Sequence, residues 1–436
     1  MNARLDWSSR QAGPLRGSVC VPGDKSVSHR ALMFGALAEG TSRIRGFLEG
    51  EDTRATATVL QQLGVRIETP VEGERVVHGV GLHGLRASAD PLDCGNAGTG
   101  MRLLAGLLAG QAFDSSLVGD ASLSKRPMRR VTDPLAAMGA RIDTQDGLPP
   151  LHVRGGQHLH GIRYELPVAS AQVKSALLLA GLYAEGETEI IEPHPTRDYT
   201  ERMLAAFGWP IAFEPGRAKL SGGHALRATD VDVPADFSSA AFFLVAASIV
   251  PGSELRLPAV GLNPRRAGLL LALRLMGADI RIENGRESGG EPVGDLVVRH
   301  APLHGVELPE VLVPDMIDEF PALFVAAAVA EGRTVIRGAA ELRVKESDRL
   351  AAMATGLRAL GITVDETPDG ATIHGGTLAG GTVESLTDHR IAMSFAVAGL
   401  VAQTPVRIND CRHVATSFPG FMELAKSCGF ALEAMD

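Results

Sequence analysis

Hydrophobic and polar positions follow one pattern six times along the chain. An apolar strand, a polar turn and a helix-length run of small apolar residues succeed one another at 21–40, 92–110, 166–186, 233–252, 313–332 and 386–403. The runs are apolar on almost every side, which predicts helices buried all round. Five close on a glycine (Gly40, Gly110, Gly186, Gly252 and Gly332), placed as a helix C-cap would be. Between them recurs an amphipathic helix, then a glycine and a short strand, around Gly64, Gly139, Gly208, Gly277, Gly361 and Gly429. Leu350, Met353, Leu357 and Leu360 show the single apolar stripe of such a helix, which predicts an outer position. The six glycines lie 75, 69, 69, 84 and 68 positions apart, too long for a solenoid repeat and suited to a small strand-and-helix unit used six times. Six buried helices starting in one direction would bring their positive dipole ends to a common cleft.

The turns before the buried helices carry the polar chemistry. In the first, a strand at 18–21 is broken by Pro22-Gly23 and a helix over 31–38 follows, so Lys25, Ser26, His29 and Arg30 are expected on its first turn. Free N–H groups there, with two cations, suit an anion; a capped helix with solvated charges is the other reading. The second turn, Asp93-Cys94-Gly95-Asn96-Ala97-Gly98-Thr99-Gly100, lets backbone approach a ligand and precedes Arg102. The others hold Ser170, Gln172 and Lys174; Asp236, Ser238 and Ser239; Asp315, Asp318 and Glu319; and Asp388, His389 and Arg390. Basic stretches lie between the repeats at Lys125-Arg126, Arg129-Arg130, Arg197 and Lys345-Glu346-Ser347-Asp348-Arg349. Lys345 and Arg349, four apart, are expected on one face of a first helical turn beside Glu346, able to clamp an anion and exchange a proton. Asp315, Asp318 and Glu319 can be read as a divalent-metal site, but their setting lacks a partner cluster.

Composition narrows the function classes. At 436 residues the chain exceeds one core, and two or more domains are expected. A net charge of −9 argues against a nucleic-acid binder, while local clusters can still focus positive potential on a small anion. Four scattered cysteines lack metal-ligand spacing and fit a reduced, cytoplasmic setting. Residues 1–13 have no apolar core of a signal peptide, and runs such as 240–250 are too short to span a bilayer. P-loop, G-x-S-x-G, H-E-x-x-H and paired C-x-x-C motifs are absent.

The stretches Gly23-Asp24-Lys25-Ser26, Gly95-Asn96-Ala97-Gly98-Thr99, Lys125-Arg126-Pro127-Met128, Ser170-Ala171-Gln172-Val173-Lys174, Arg343-Val344-Lys345-Glu346-Ser347-Asp348-Arg349-Leu350, Asp388-His389-Arg390 and Ser417-Phe418-Pro419 stand in the order of a known family. Along nearly its whole length the chain resembles the 5-enolpyruvylshikimate-3-phosphate synthases. The resemblance implies an α/β, two-domain enolpyruvyl transferase fold, an inside-out α/β barrel with three β-α-β-α-β-β units in each domain. Residues 1–22 plus 237–436 would form one domain and 23–236 the other, closing at a hinge near 22 and 236. The implied reaction moves the enolpyruvyl group of phosphoenolpyruvate to the 5-hydroxyl of shikimate 3-phosphate and releases phosphate, without metal or organic cofactor. It belongs to the shikimate pathway of aromatic amino-acid and chorismate biosynthesis.

By motif position, Lys25, Ser26, Arg30, Ser170, Gln172, Arg197, Asp318 and Lys345 would bind shikimate 3-phosphate. Lys25, Asn96, Gly98, Arg126, Gln172, Glu346, Arg349, His389 and Arg390 would bind phosphoenolpyruvate. Asp318 is the candidate base on the 5-hydroxyl, with Asp315 the nearer match to a local Pro-Asp pattern of some relatives; Lys345 and Glu346 would handle the methylene proton, and Lys25 would lie between the substrates. The resemblance further implies a cytoplasmic monomer, with glyphosate as an inhibitor and motifs closest to the glyphosate-tolerant class. Two departures stand out. Thr416 replaces a lysine common before Ser417-Phe418-Pro419, a contact Lys174 is a candidate to supply. Arg265 and Gly98 depart from residues found in tolerant members, leaving tolerance open. The rival reading is UDP-N-acetylglucosamine enolpyruvyl transferase, but Ala121 occupies the place of its reactive cysteine; a non-catalytic anion-binding repeat protein would not need Asp318, Glu346 and His389.

Overall fold

The computed structural model describes residues 5–288 and 290–435. They divide into two compact units, one built from the chain up to Pro22 with 235–286 and everything from Pro292 onward, the other from 23–234 with the short stretch 287–291. The repeat pattern held no sign of that short stretch. Each unit has its own apolar core.

In the unit of residues 23–234 the apolar runs form the helices Lys25–Leu37, Gly98–Ala109 and Ala171–Gly181. In the other unit they form Phe237–Ile249, Phe320–Ala328 and His389–Gly399. All six are interior, and Phe237–Ile249 and Phe320–Ala328 are buried at every residue. Burying a run of Leu, Val, Ala and Phe on all sides withdraws the most apolar surface per helix, which is why sheets and amphipathic helices are left for the outside. The outer helices are Glu51–Gln62, Arg129–Ala137 and Tyr199–Ala206 in one unit, Gly268–Leu275, Arg349–Ala359 and Phe421–Ser427 in the other. Each is followed by its repeat glycine, and all six glycines have φ between +82° and +109°. A side chain there would be strained, so the turn from outer helix to strand selects glycine every time.

The other set of glycines does not cap helices as expected. The interior helices of the first five repeats end on Ala38, Gly110, Leu182, Val250 and Val329. Only Gly110 is at a cap, with φ −89°; at φ +74° to +106°, Gly186, Gly252 and Gly332 lie further on, in the turns that lead into strands, and Gly40 lies inside the strand Ala38–Arg45. The apolar runs gave no mark of where helical hydrogen bonding stops.

Four of the described sheets place an antiparallel hairpin beside a strand that has a parallel partner. Arg163–Glu165 runs parallel to Glu187–Ile191, which pairs antiparallel with Arg217–Ser221 and through it with Ile211–Glu214. Leu92–Asp93 and Ser115–Val118 open the equivalent sheet with Leu148–Arg154 and Arg141–Gln145. In the first repeat the parallel partners of Ala38–Arg45 are Leu226–Arg227 and Val231–Asp232, so the last strands of the unit complete its first sheet. In the other unit, Asp6–Arg10 inserts between Val406–Asn409 and Ala431–Met435, and Arg16–Ser18 lies parallel to Glu254–Gly261. The strand expected at 18–21 is this Arg16–Ser18. In the fifth repeat, 310–316 form two short 3-10 turns, and only the bridges from His304 to Glu331 and Glu307 to Val335 stand for the parallel strand.

Gly106 lets the interior helices Gly98–Ala109 and Ala171–Gly181 approach closely: a Cβ there would lie 2.1 Å from the Ala176 carbonyl oxygen. We predict that Gly106→Ala costs about 3 kcal/mol of stability, because rigid backbone must move. The check is the denaturant midpoint, which should fall; an unchanged midpoint would mean the helices do not meet there.

Candidate active site

The first interior helix starts earlier than its apolar run, at Lys25, with Asp24 as N-cap accepting the Val27 N–H at 2.9 Å. Lys25 and Ser26 therefore occupy the first turn, as expected, but Arg30 sits on the second and is only 3% exposed. Its Nε donates to Thr200 Oγ1 at 2.8 Å, Nη2 to Ser175 Oγ at 2.8 Å and Nη1 to the Ser26 carbonyl at 3.0 Å. Burial holds the Arg30 guanidinium down at about 10, against Glu201 and Asp24, which pull it up. Lys25 pairs with Asp52 at 2.9 Å. Beneath it His29 is fully buried, with Nδ1 against Thr56 Oγ1 at 2.8 Å. Burial pushes the imidazole down to about 3, Asp52 opposing and Lys25 and Arg30 reinforcing. His29 is neutral, inside the helix layer and away from the outer edge on which the first turn had placed it.

Of the six interior helix starts, four are capped by a side chain: Asp24, Ser170, Asp236 and Asp388. The helix Gly98–Ala109 has no side-chain cap. Around that start stand Arg102, whose Nη1 donates to Gln172 Oε1 at 2.9 Å, and Arg126, whose Nη2 donates to Asn96 Oδ1 at 2.7 Å. Gln172 in turn donates to Thr99 Oγ1 at 2.9 Å, and Asn96 to Asp120 at 2.7 Å. A Cβ on Gly98 would be 3.0 Å from a terminal nitrogen of both Arg102 and Arg126. Backbone N–H groups and two guanidiniums thus converge where no side chain intrudes, an arrangement suited to a phosphate or carboxylate.

In the other unit, Arg349 organises the polar groups. It is 1% exposed, and its guanidinium meets Asp388 at 2.8 Å, Glu346 at 2.7 Å and Asp318 at 3.4 Å. Burial opposes its charge, but the three carboxylates outweigh that and hold it above the ordinary guanidinium value. Burial likewise pushes Asp388 up, and Arg349 more than reverses it, leaving the carboxyl below its usual range. Asp388 also accepts the Arg390 backbone N–H at 2.9 Å and Ser347 Oγ at 3.0 Å. Arg390 Nη1 donates to the Asp318 carbonyl at 3.2 Å, next to His389, which is buried. Lys345 and Glu346 precede the helix Arg349–Ala359 instead of sharing its first turn, because Asp348 caps it through the Ala351 N–H at 3.0 Å. Lys345 is partly buried, with Glu341 at 3.9 Å. Loss of hydration lowers its amine below the ordinary value, against Asp318 and Glu341.

Asp318 and Asp315 part company. Asp318 lies 3.2 Å from Arg266 and 3.4 Å from Arg349, while Asp315 turns to Arg265 at 3.2 Å beside the start of the helix Gly268–Leu275. Arg266 sits among Asp318, Glu319 and Asp236, at 3.2, 3.1 and 3.5 Å, so of the three carboxylates read as a divalent-metal site Asp318 and Glu319 share one guanidinium and Asp315 faces another, that of Arg265. Lys174 does not supply the contact missing at Thr416. It is 2% exposed and held by Glu192 at 2.7 Å and Glu201 at 2.8 Å. Ser170 accepts the Val173 N–H at 3.4 Å, and Arg197 precedes the helix Tyr199–Ala206. Missed in the sequence were Asp52 and Arg266, which come from neighbouring elements with no motif to mark them; Asp388 was expected at its helix start, but its pairing with Arg349 was not.

Two units of interior helices, with cations and carboxylates gathered at helix starts, define the class of enolpyruvyl transferases. The backbone is similar to the EPSP synthase of Acinetobacter baumannii, with a TM-score of 0.91, 53% sequence identity, and 99% of this chain and 100% of that one covered; a second structure of that enzyme gives 0.90 and 52%. The 3-phosphoshikimate 1-carboxyvinyltransferases of Xanthomonas axonopodis pv. citri and Xanthomonas campestris pv. campestris are 72% and 71% identical, over 98% and 99% of this chain and 97% and 99% of theirs. The family profile of EPSP synthase (3-phosphoshikimate 1-carboxyvinyltransferase) matches residues 9–424, and the chain belongs to that family. It is an enzyme that transfers the enolpyruvyl group of phosphoenolpyruvate to shikimate 3-phosphate. The reading as a UDP-sugar transferase falls with this match. Cys94, the cysteine nearest in sequence to Ala121, is buried, and burial pushes its thiol up to about 12.

The buried imidazole makes a pH prediction. The unfolded chain protonates His29 near its ordinary 6.5, the folded chain only near 3, so the unfolded state binds the extra proton in that window and stability falls as pH drops. His29→Asn should reduce the slope of unfolding free energy between pH 6 and 4.5 by roughly 1.4 kcal/mol per pH unit. Denaturant titrations at several pH values measure it, and parallel slopes for the two proteins would refute a neutral buried His29.

Proposed function

We propose that the two sets of groups divide the enolpyruvyl transfer between anion clamping and proton movement. Lys25, Ser26, Arg30, Ser170, Gln172 and Arg197 take shikimate 3-phosphate. Arg30's inner edge is committed to Thr200 and Ser175, and its Nη1 edge, near Ser26, is the one that meets the ligand. Phosphoenolpyruvate is taken by the open helix start at Gly98 with Asn96, Arg126 and Gln172, and by Arg349, His389 and Arg390. At Arg349 the ligand competes with Glu346 for the guanidinium, which frees that carboxylate for the methylene proton.

The 5-hydroxyl must lose a proton as its oxygen attacks C2 of phosphoenolpyruvate, whose methylene gains one to become a methyl group; departure of phosphate from C2, with return of a proton from that methyl group to the proton-exchange residues, then restores the double bond. Asp318 is the base. The observation that supports it is its placement between Arg266 and Arg349, which fixes the carboxylate, whereas Asp315 faces Arg265 and the next helix. Lys345, its amine lowered by lost hydration, and Glu346 are the proton-exchange pair. Four cysteines that remain free thiols are consistent with a cytoplasmic setting.

Asp318→Asn should reduce kcat for phosphate release about a thousandfold and leave the Kd for shikimate 3-phosphate within about threefold. Calorimetric binding beside the phosphate assay separates the two, and a fully active variant would exclude Asp318 as the base. Gly98→Ala pushes a methyl group against Arg102 and Arg126. It should raise the KM for phosphoenolpyruvate a few-fold and the inhibition constant of glyphosate by a larger factor; an unchanged inhibition constant would argue against this helix start as the donor subsite.

A further inference from the structure

The buried cluster around Lys174 lies beneath the acceptor groups and has no part in the reaction just described. Lys174 is on the helix Ala171–Gly181, one turn after Ser170 and two residues after Gln172. Its ammonium reaches Glu192 Oε2 at 2.7 Å and Glu201 Oε1 at 2.8 Å, and all three residues are buried. Glu192 stands at the start of the connection that carries Arg197, and it holds that connection twice: Oε2 accepts the Thr196 N–H at 3.3 Å and Oε1 accepts the Thr196 hydroxyl. Glu201 stands on the helix that the connection enters, Tyr199–Ala206. The cation is therefore tied to both ends of the segment bearing Arg197, and Thr196, the residue before Arg197, is fixed through the same carboxylate.

Burying an ammonium with two carboxylates is costly, and apolar residues of similar volume would give comparable stability. What apolar packing cannot give is direction. An ammonium with two short, charged contacts sets the distance from the helix start that bears Ser170 and Gln172 to the segment that bears Arg197. A second contact set runs alongside it, Ser175 and Thr200 joined at 2.7 Å and both bonded to Arg30.

We propose that Lys174 is a positioning residue for the acceptor: through Glu192 and Glu201 it fixes the segment 192–198 so that Arg197 is presented to the anionic end of shikimate 3-phosphate. The inference rests on the reading of Arg197 as an acceptor ligand. It assigns Lys174 no contact with either substrate, so its loss should appear in acceptor affinity and not in the chemical step.

The test is a double-mutant cycle on the intact enzyme, with steady-state kinetics in both substrates for wild type, Lys174→Met, Arg197→Ala and the double variant. Lys174→Met should raise the KM for shikimate 3-phosphate about tenfold, with kcat and the KM for phosphoenolpyruvate within about twofold. In the Arg197→Ala background the same substitution should add little, because the group it positions is gone. Effects that multiply, or an acceptor KM unmoved by Lys174→Met, would overturn the inference while leaving Arg197 as a ligand. An acceptor KM unmoved by Arg197→Ala would instead remove the reading beneath it, and the inference with it. Since Lys174→Met leaves two buried carboxylates unpaired, Lys174→Met/Glu192→Gln/Glu201→Gln repeats the cycle without that charge and is expected to fold; a lowered melting temperature with unchanged acceptor KM would show a structural role only.

Discussion

A helix that is apolar on almost every side must be buried on almost every side, and the described residues hold six of them. That constraint accounts for the rest of the fold. Within each unit three such helices fill the interior, leaving strands and one-striped helices to face water. An interior helix leaves its first N–H groups without intrahelical partners, and buried donors without partners are expensive. The chain therefore brings polar side chains to the starts of these helices: Asp24, Ser170, Asp236 and Asp388 as caps, and arginines around the uncapped start at Gly98. The same demand that stabilises the helices concentrates the groups an anionic reaction needs.

The charges gathered in this way are fixed before any substrate arrives. Arg349 is held by three carboxylates, Lys174 by two, Arg30 by two hydroxyls and a carbonyl, and Lys25 by Asp52. Each costs desolvation that its partners offset. In return the groups need little reorganisation when charge develops in the reaction, the condition under which electrostatic stabilisation is most effective. The opposite directions in which Lys345 and Arg349 are moved illustrate the division. Lys345 loses hydration and is lowered toward proton exchange, while Arg349 is paired so completely that it remains a cation.

The six-fold repeat, the interior and outer helices and the residues at the helix starts were all legible in the sequence, because each depends on spacing along the chain, while the family was legible through its resemblance in motifs and their order. The glycines at 64, 139, 208, 277, 361 and 429 belong to this group: a turn that needs positive φ leaves its mark in residue type. So do Lys25, Gly98, Asp318 and His389-Arg390, which stand at turns between elements of recognisable period.

Hydrogen bonding and burial are settled across the chain and were not legible. Nothing near Arg30 says that Ser175 and Thr200 enclose it, and nothing near Lys174 announces Glu192 and Glu201, so one seemed more open than it is and the other was read as a substrate contact. Asp315 and Asp318, three residues apart, could not be told apart until Arg265 and Arg266 took one each. By itself the sequence determined which elements form, how often they recur and which chemistry stands at their starts, since periodicity and local backbone demands are written in neighbouring residues. Only the tertiary structure decided which charge meets which partner and which is shielded from water, since those depend on distances between residues far apart in the chain.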